Sequence, residues 1–381
     1  MYNGKLFLLI WCLGANVLLV APRTAIAQSQ SVDPLLVDRN DPLIPLGYGK
    51  RKLTSFEKYR IEQKIAELDV AAKTALERDN IDRAVKLWYR QLRLARSLGR
   101  LVEIEALGNV GKSAWSENRG QEVRNIAERL QDIEKEITAD KTPADLYLKP
   151  LATAYQQVGY LDKAIDIYQQ IIATGKNSDS GDRRKLGQLY LALFDYQRAS
   201  QVYQKLVNRG NEEARQSDLD ILIDIYERTQ KYEDAIAIRA ISIEQCLARG
   251  KTKKIPVLEI ATARNYEALE QTDKAILAYD RAFNRALKIK HLAIANDALQ
   301  SIGLLYQKQG KLDKAIATYN RLLLIQQQSY NHYGLIASYD ALGQIYLKLD
   351  KNNLAKRYFQ QGLDLAKSLN YKVKYFEDKI K

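Results

Sequence analysis

A small residue recurs eight times along this chain, each time with another small or aliphatic residue twelve positions before it. That register limits the possible folds more than any other feature. The recurring residues are Ala84, Val123, Ala164, Ala199, Ala235, Ala275, Ala315 and Ala355, at successive spacings of 39, 41, 35, 36, 40, 40 and 40. Twelve residues before them stand Ala72, Gly111, Ala152, Gly187, Ile223, Ala263, Gly303 and Gly343. Nine before come Ala75, Ala114, Tyr155, Tyr190, Tyr226, Tyr266, Tyr306 and Tyr346, and four after come Trp88, Ala127, Tyr168, Tyr203, Arg239, Tyr279, Tyr319 and Phe359. Small residues at these places let two antiparallel helices approach closely, and the aromatics fill the space beside the crossing. Ser301 to Leu324 is the clearest unit. There Gln309-Gly310-Lys311 separates two apolar periods, and Asp313 sits near the positive end of the second helix. One such hairpin cannot bury its apolar face alone, so the repetition predicts a stack.

From about Phe56 to Leu369 these residues resemble the tetratricopeptide repeat family. Leu342-Gly343, Tyr346, Ala355 and Phe359 reproduce its signature spacing within one repeat. The resemblance implies an all-α, right-handed superhelical solenoid of about eight helical hairpins over residues 54–369, with helices longer than the usual ~34-residue repeat provides. The first two units depart from the pattern at Ala75, Ala114 and Val123. The fifth departs at Ile223 and Arg239, where packing must be solved differently.

Ahead of the array, Lys5, the apolar run Leu6 to Ala21 and the small residues of Ala25-Ile26-Ala27 read as a secretory signal over residues 1–27. The alternative is an uncleaved anchor, although the run is short for a span and holds Gly14 and Asn16. Removing the signal takes away Lys5 and Arg23 and no acid, so the net charge of +13 falls to +11. Residues 28–53 hold Pro34, Pro42, Pro45, Gly47 and Gly49 and form a leader with no helical period, extended and either mobile or laid against the first helices. Thr54 and Glu57 then make a capping box. Residues 370–381 keep Val373, Phe376 and Ile380 at helical spacing and suit a cap on the open end. Two irregular loops, Gly175 to Gly181 and Lys251 to Pro256, interrupt the array. Pro143 suits a first helical turn, and Pro150 is expected to kink or restart its helix. Cys246 alone remains after the signal, inside a helical run, so it reads as a buried small hydrophobe. No Asn-x-Ser/Thr sequon occurs, which fits bacterial export to a periplasm, lumen or extracellular space.

Chemistry is not indicated. Ala106 to Ser113 fits a permissive phosphate-loop pattern, but no strand precedes it and Gly111 is already the crossing residue of the second unit. His291 and His332, the only histidines, have no cysteine or carboxylate set around them, so no metal or cofactor is expected. No G-x-S-x-G elbow occurs. The basic excess is greatest in residues 256–381, with 19 basic and 12 acidic residues. Its tyrosines fall on buried positions instead of interleaving with cations, which argues against nucleic acid.

Binding is therefore expected on the first helices, which in this family line the inner surface. Positions eleven and fifteen before each anchor face away from the Gly and Tyr stripe. They place Lys73, Lys112, Lys149 and Arg184 in the first four units, Asp220 and Asp224 with Glu227 in the fifth, and Arg264 in the sixth. The expected partner is a protein or peptide segment whose acidic part meets the basic half and whose basic part meets the fifth unit. Solvated, incidental charge is the plain alternative. The Lys and Asn pair that some relatives use on chaperone tails appears in no unit. Together these features describe a non-enzymatic, exported scaffold or assembly factor. A helper subunit of an envelope enzyme, or a membrane tether if the signal is retained, are the other readings.

Overall fold

The computed structural model describes residues 33–139, 145–175, 179–208 and 212–381. The signal segment and Pro143 lie outside them. The described residues form helices and no strand, arranged as eight consecutive hairpins. These are α1 (Ser55–Glu77) with α2 (Ile81–Leu98), α3 (Arg100–Ser116) with α4 (Gly120–Ala139), α5 (Asp145–Gln157) with α6 (Leu161–Thr174) and α7 (Ser180–Ala192) with α8 (Tyr196–Val207). The second four are α9 (Glu212–Arg228) with α10 (Tyr232–Ala248), α11 (Ile255–Ala268) with α12 (Thr272–Lys288), α13 (Leu292–Lys308) with α14 (Leu312–Gln328) and α15 (His332–Lys348) with α16 (Asn352–Ser368). A last helix, α17 (Val373–Ile380), follows. The chain divides into two compact units, Met1–Ala106 and Leu107–Lys381, with the boundary inside α3. From α5 onward helices pack on their neighbours in sequence, which is the contact pattern of an all-α repeat solenoid.

One turn geometry closes every hairpin. The residue five before each anchor is left-handed: Asp79, Asn118, Gly159, Phe194, Gln230, Glu270, Gly310 and Asp350. The next amide returns to the carbonyl nine before the anchor, as in Lys311 N to Tyr306 O at 2.9 Å and Asp195 N to Tyr190 O at 2.8 Å. This six-residue return satisfies a carbonyl that the helix end would otherwise leave open. Only two of the eight turn residues are glycine, which is why the sequence pattern alone does not show the shared geometry.

The recurring small residues are buried throughout, and they do what their spacing requires. A β-carbon on Gly303 would lie 3.0 Å from the Tyr319 ring, and one on Gly343 would lie 2.5 Å from Phe359. The first helix therefore has no side chain where the second helix lays its ring. Burying each ring contributes on the order of 2 kcal/mol.

A second pairing joins the residue four after the anchor to the one eight before it. Tyr279 Oη donates to Glu267 at 2.5 Å, and Tyr319 Oη to Gln307 at 3.1 Å. In the fifth hairpin Arg239 replaces the tyrosine and its Nη2 donates to Glu227 at 2.5 Å. In the eighth, Phe359 has no hydroxyl and the matching position is Leu347. The irregular fifth unit thus keeps the rule of its neighbours with a different donor.

The leader is a series of turns instead of an extended strand. Leu35 and Ile44 are buried, and Ile44 packs with Ile61, Leu68 and Leu94 of α1 and α2. Arg90 Nε reaches Asp41 at 2.8 Å, and Arg96 reaches Asp33 at 2.8 Å and the Leu35 carbonyl at 3.0 Å. The Thr54–Glu57 capping box is formed at the start of α1. Contrary to expectation, α5 runs through Pro150 without a restart. The proline stands near the helix start, so the bond it forfeits would have gone to the carbonyl of the exposed Leu146, which water can reach. At the far end, Phe376 of α17 is fully buried over Gly362, where a β-carbon would lie 2.5 Å from the ring.

Candidate functional site

The residue eleven before each anchor is exposed in seven hairpins and half-exposed at Gln344, whereas its neighbour twelve before is buried in all eight. The helical geometry that hides the small residue turns the next one outward. Lys73, Lys112, Asp224 and Arg264 accordingly stand in solvent. Positions fifteen before the anchor behave differently: Gly108 and Ile260 are buried, Lys149 and Arg184 half-buried, and only Asp220 and Gln300 exposed. They lean toward the adjacent hairpin.

That tilt determines the chemistry of two predicted residues. Lys149 on α5 crosses to α7 and meets Asp182 at 2.9 Å and Asp179 at 3.6 Å. Arg184 on α7 crosses to α9 and grips Asp218 through Nε at 2.9 Å and Nη2 at 3.0 Å. Asp218 is fully buried, so this fork sits on a carboxylate with no access to water. Both cations have raised pKa values, owing first to hydrogen bonds from Asp182 to Lys149 and from Asp218 to Arg184. These two side chains staple neighbouring first helices.

Other predicted charges also have partners. Lys73, in the first unit, pairs with Asp69 at 2.6 Å. In the fifth hairpin Asp220 accepts from Gln216 at 3.0 Å, Asp224 from Arg228 at 2.6 Å, and Glu227 from Arg239. Among the described residues, Lys112 and Arg264 have no hydrogen bond or ion pair. The structure therefore places the predicted residues on one series of first helices, but it leaves two cations free where the sequence suggests a charged groove.

One feature of the second hairpin had only an indirect sequence signal. Trp115 of α3 is 58 % exposed and forms, with Asn118, Arg119, Gly120 and Val123, a cavity of about 210 Å³. The signal was the loss of the pattern at Ala114, Val123 and Ala127, which removes two rings from this hairpin.

The phosphate-loop-like stretch lies wholly inside α3, so its amides are spent on the helix. Cys246 is buried, and His291 and His332 are exposed. Among the described residues no group of three or more His, Cys, Asp or Glu side chains is arranged to hold a metal, and no helix is long and apolar enough to cross a membrane.

Residues 148–180 and 294–368 each match a family model described as tetratricopeptide repeat. No curated protein matches the chain. Among solved structures, the C-terminal part of a TPR repeat-containing protein from Cytophaga hutchinsonii is 15 % identical, with 72 % of this chain and 99 % of that one covered and a TM-score of 0.42. Aspartyl phosphate phosphatase F from Bacillus subtilis is 15 % identical, with coverage of 70 % and 76 % and a TM-score of 0.40. TPR-like repeats of a kinesin light chain from Podosopora anserina are 17 % identical, with coverage of 50 % and 98 % and a TM-score of 0.34. With the signature spacing filled by eight successive hairpins and two stretches matched by its models, the chain belongs to the tetratricopeptide repeat family.

Proposed function

We propose that this protein is an exported interaction scaffold or assembly factor whose first-helix face, within the second unit, holds an extended segment of a protein partner. The observation that carries this reading is the exposed row eleven before each anchor. It runs Lys112, Thr153, Gln188, Asp224, Arg264, Leu304 and Gln344 beside a buried row of small or aliphatic residues. A constant scaffold next to a chemically varied, solvent-facing row is what sequence-selective recognition of a segment requires. Cationic recognition falls to Lys112 and Arg264, since Lys149 and Arg184 are bound to aspartates.

Photo-crosslinking tests the site. Benzoylphenylalanine in place of Gln188 or Leu304 is expected to capture the partner, and the same group in place of the exposed second-helix residues Leu277 and Leu324 is not. Equal capture from both faces would sink the proposal. Export rests on residues 1–27 and is tested by N-terminal sequencing of the native protein; retention of Leu6 to Ala21 would replace the exported form with an anchored one.

A further inference from the structure

We propose that the cavity at Trp115 is a side-chain pocket that admits one bulky apolar residue of the partner segment, with Lys112 taking a carboxylate next to it. This rests on the reading that the first-helix face binds a partner, and it names what that partner must carry. The pocket follows from the broken pattern of the second hairpin. Other hairpins place a tyrosine nine before the anchor and a ring or guanidinium four after it; here the residues are Ala114 and Ala127. Trp115, eight before the anchor, consequently has no large side chain facing it from its own second helix. Its indole lies instead on Gly159, the left-handed turn residue of the next hairpin, at φ +79°. A β-carbon there would lie 2.9 Å from the indole, so only glycine allows the ring to settle in this place.

What remains is an aromatic wall over an aliphatic floor, Val123, which is 5 % exposed, with the polar groups of Asn118 and Arg119 at the rim. Arg119 is held by Glu122 at 3.3 Å. The volume of about 210 Å³ equals roughly seven waters of liquid, the scale of one leucine or phenylalanine side chain. Mostly apolar walls with a few polar groups favour such an occupant over a charged one. Lys112 stands one helical turn before Trp115, exposed and unpaired. Its charge is the nearest to the pocket that no internal partner satisfies, which sets the sign of the adjoining recognition.

The test is fluorescence anisotropy of the full chain with labelled heptapeptides. One set carries phenylalanine or leucine at a fixed place, with aspartate or glutamate scanned through the next three. The controls carry alanine for the apolar residue or lysine for the acid. At least one acidic apolar peptide is expected to bind, and Trp115→Ala and Lys112→Glu are each expected to weaken it about tenfold or more. The lysine-bearing peptide is expected to prefer the Lys112→Glu chain. Retained circular dichroism controls for folding, and Lys112→Glu, at an exposed site, keeps the test open if Trp115→Ala misfolds. If peptides bind without regard to the apolar residue or to Trp115, the pocket falls and the wider face stands. If no peptide binds while crosslinks at Gln188 and Leu304 still form, the pocket again falls alone; if those crosslinks also fail, both fall. Loss of a concentration-dependent dimer in Trp115→Ala, without peptide binding, would assign the pocket to a second copy and overturn the proposal.

Discussion

The Arg239 guanidinium, 2 % exposed, donates through Nη2 to Glu227 at 2.5 Å across the two helices of the fifth hairpin. The same two positions hold Tyr279 with Glu267 and Tyr319 with Gln307 in the next two hairpins. Arg239 Nη1 is buried with no hydrogen-bond partner among the described residues. An orphaned buried donor costs about 1–3 kcal/mol. Arg239→Tyr is therefore expected to match or exceed the parent in urea unfolding, whereas Arg239→Ala, which leaves a cavity, loses about 3 kcal/mol. A tyrosine variant as unstable as the alanine one would refute the shared donor rule.

Arg184 and Asp218 provide a sharper electrostatic test. Removing Arg184 leaves a fully buried carboxylate uncompensated, so Arg184→Leu is expected to cost about 3 kcal/mol. The double change Arg184→Leu with Asp218→Leu is expected to recover most of that loss, because two apolar groups replace two desolvated charges. Chemical denaturation of the set measures both, and additive losses would remove the staple from the argument.

Backbone strain predicts a gain. Phe194 is 75 % exposed and held at φ +58°, where a side chain is disfavoured by about 1–2 kcal/mol. Phe194→Gly is expected to raise stability by about 0.5–1 kcal/mol after the entropy of glycine offsets part of the relief. Gly310→Ala, at φ +70°, is expected to lower it. Thermal unfolding of the two variants should move in opposite directions.

The start of α1 carries a pH dependence. The hydrogen bond from Arg51, followed by that from the Thr54 amide, lowers the Glu57 pKa from 4.5 to about 2. A depressed carboxylate contributes stability above its unfolded pKa and loses it as pH falls through the folded value. Amide exchange at the first turn of α1 is expected to quicken as pH drops from 4.5 toward 2. Glu57→Gln should abolish that trend, and an unchanged profile would contradict the assignment.

The eight hairpins were legible because their signal is repeated: Gly303 beneath Tyr319 means little once, but recurrence fixes the register for the whole array. The faces of the helices followed from the same register, so Lys112 and Arg264 were correctly placed in solvent. What the sequence did not reveal were relationships between units. Lys149 meets Asp182 and Arg184 meets Asp218 because a position fifteen before one anchor lies beside a position seventeen before the next. That offset exists only once the helices are stacked. The shared left-handed turn was equally hidden, since Phe194, Gln230 and Glu270 occupy a place where glycine would have marked it. The Trp115 cavity was foreshadowed only as a failure of the pattern, at residues whose smallness looked like poor fit and proved to make room.

The seating of Phe376 against Gly362 bears on how the molecule comes apart. A linear stack has no closing contact between its first and last members, so each end is a place where unravelling can begin. At the C-terminus the eight-residue α17 must first withdraw a wholly buried ring from a slot shaped for it before α16 loses its cover. That single extraction acts as a catch on the last turn of a thread. Under load, or before a processive protease entering from Lys381, the catch governs the rate at which the final hairpins are surrendered, independently of how stable each one is in isolation.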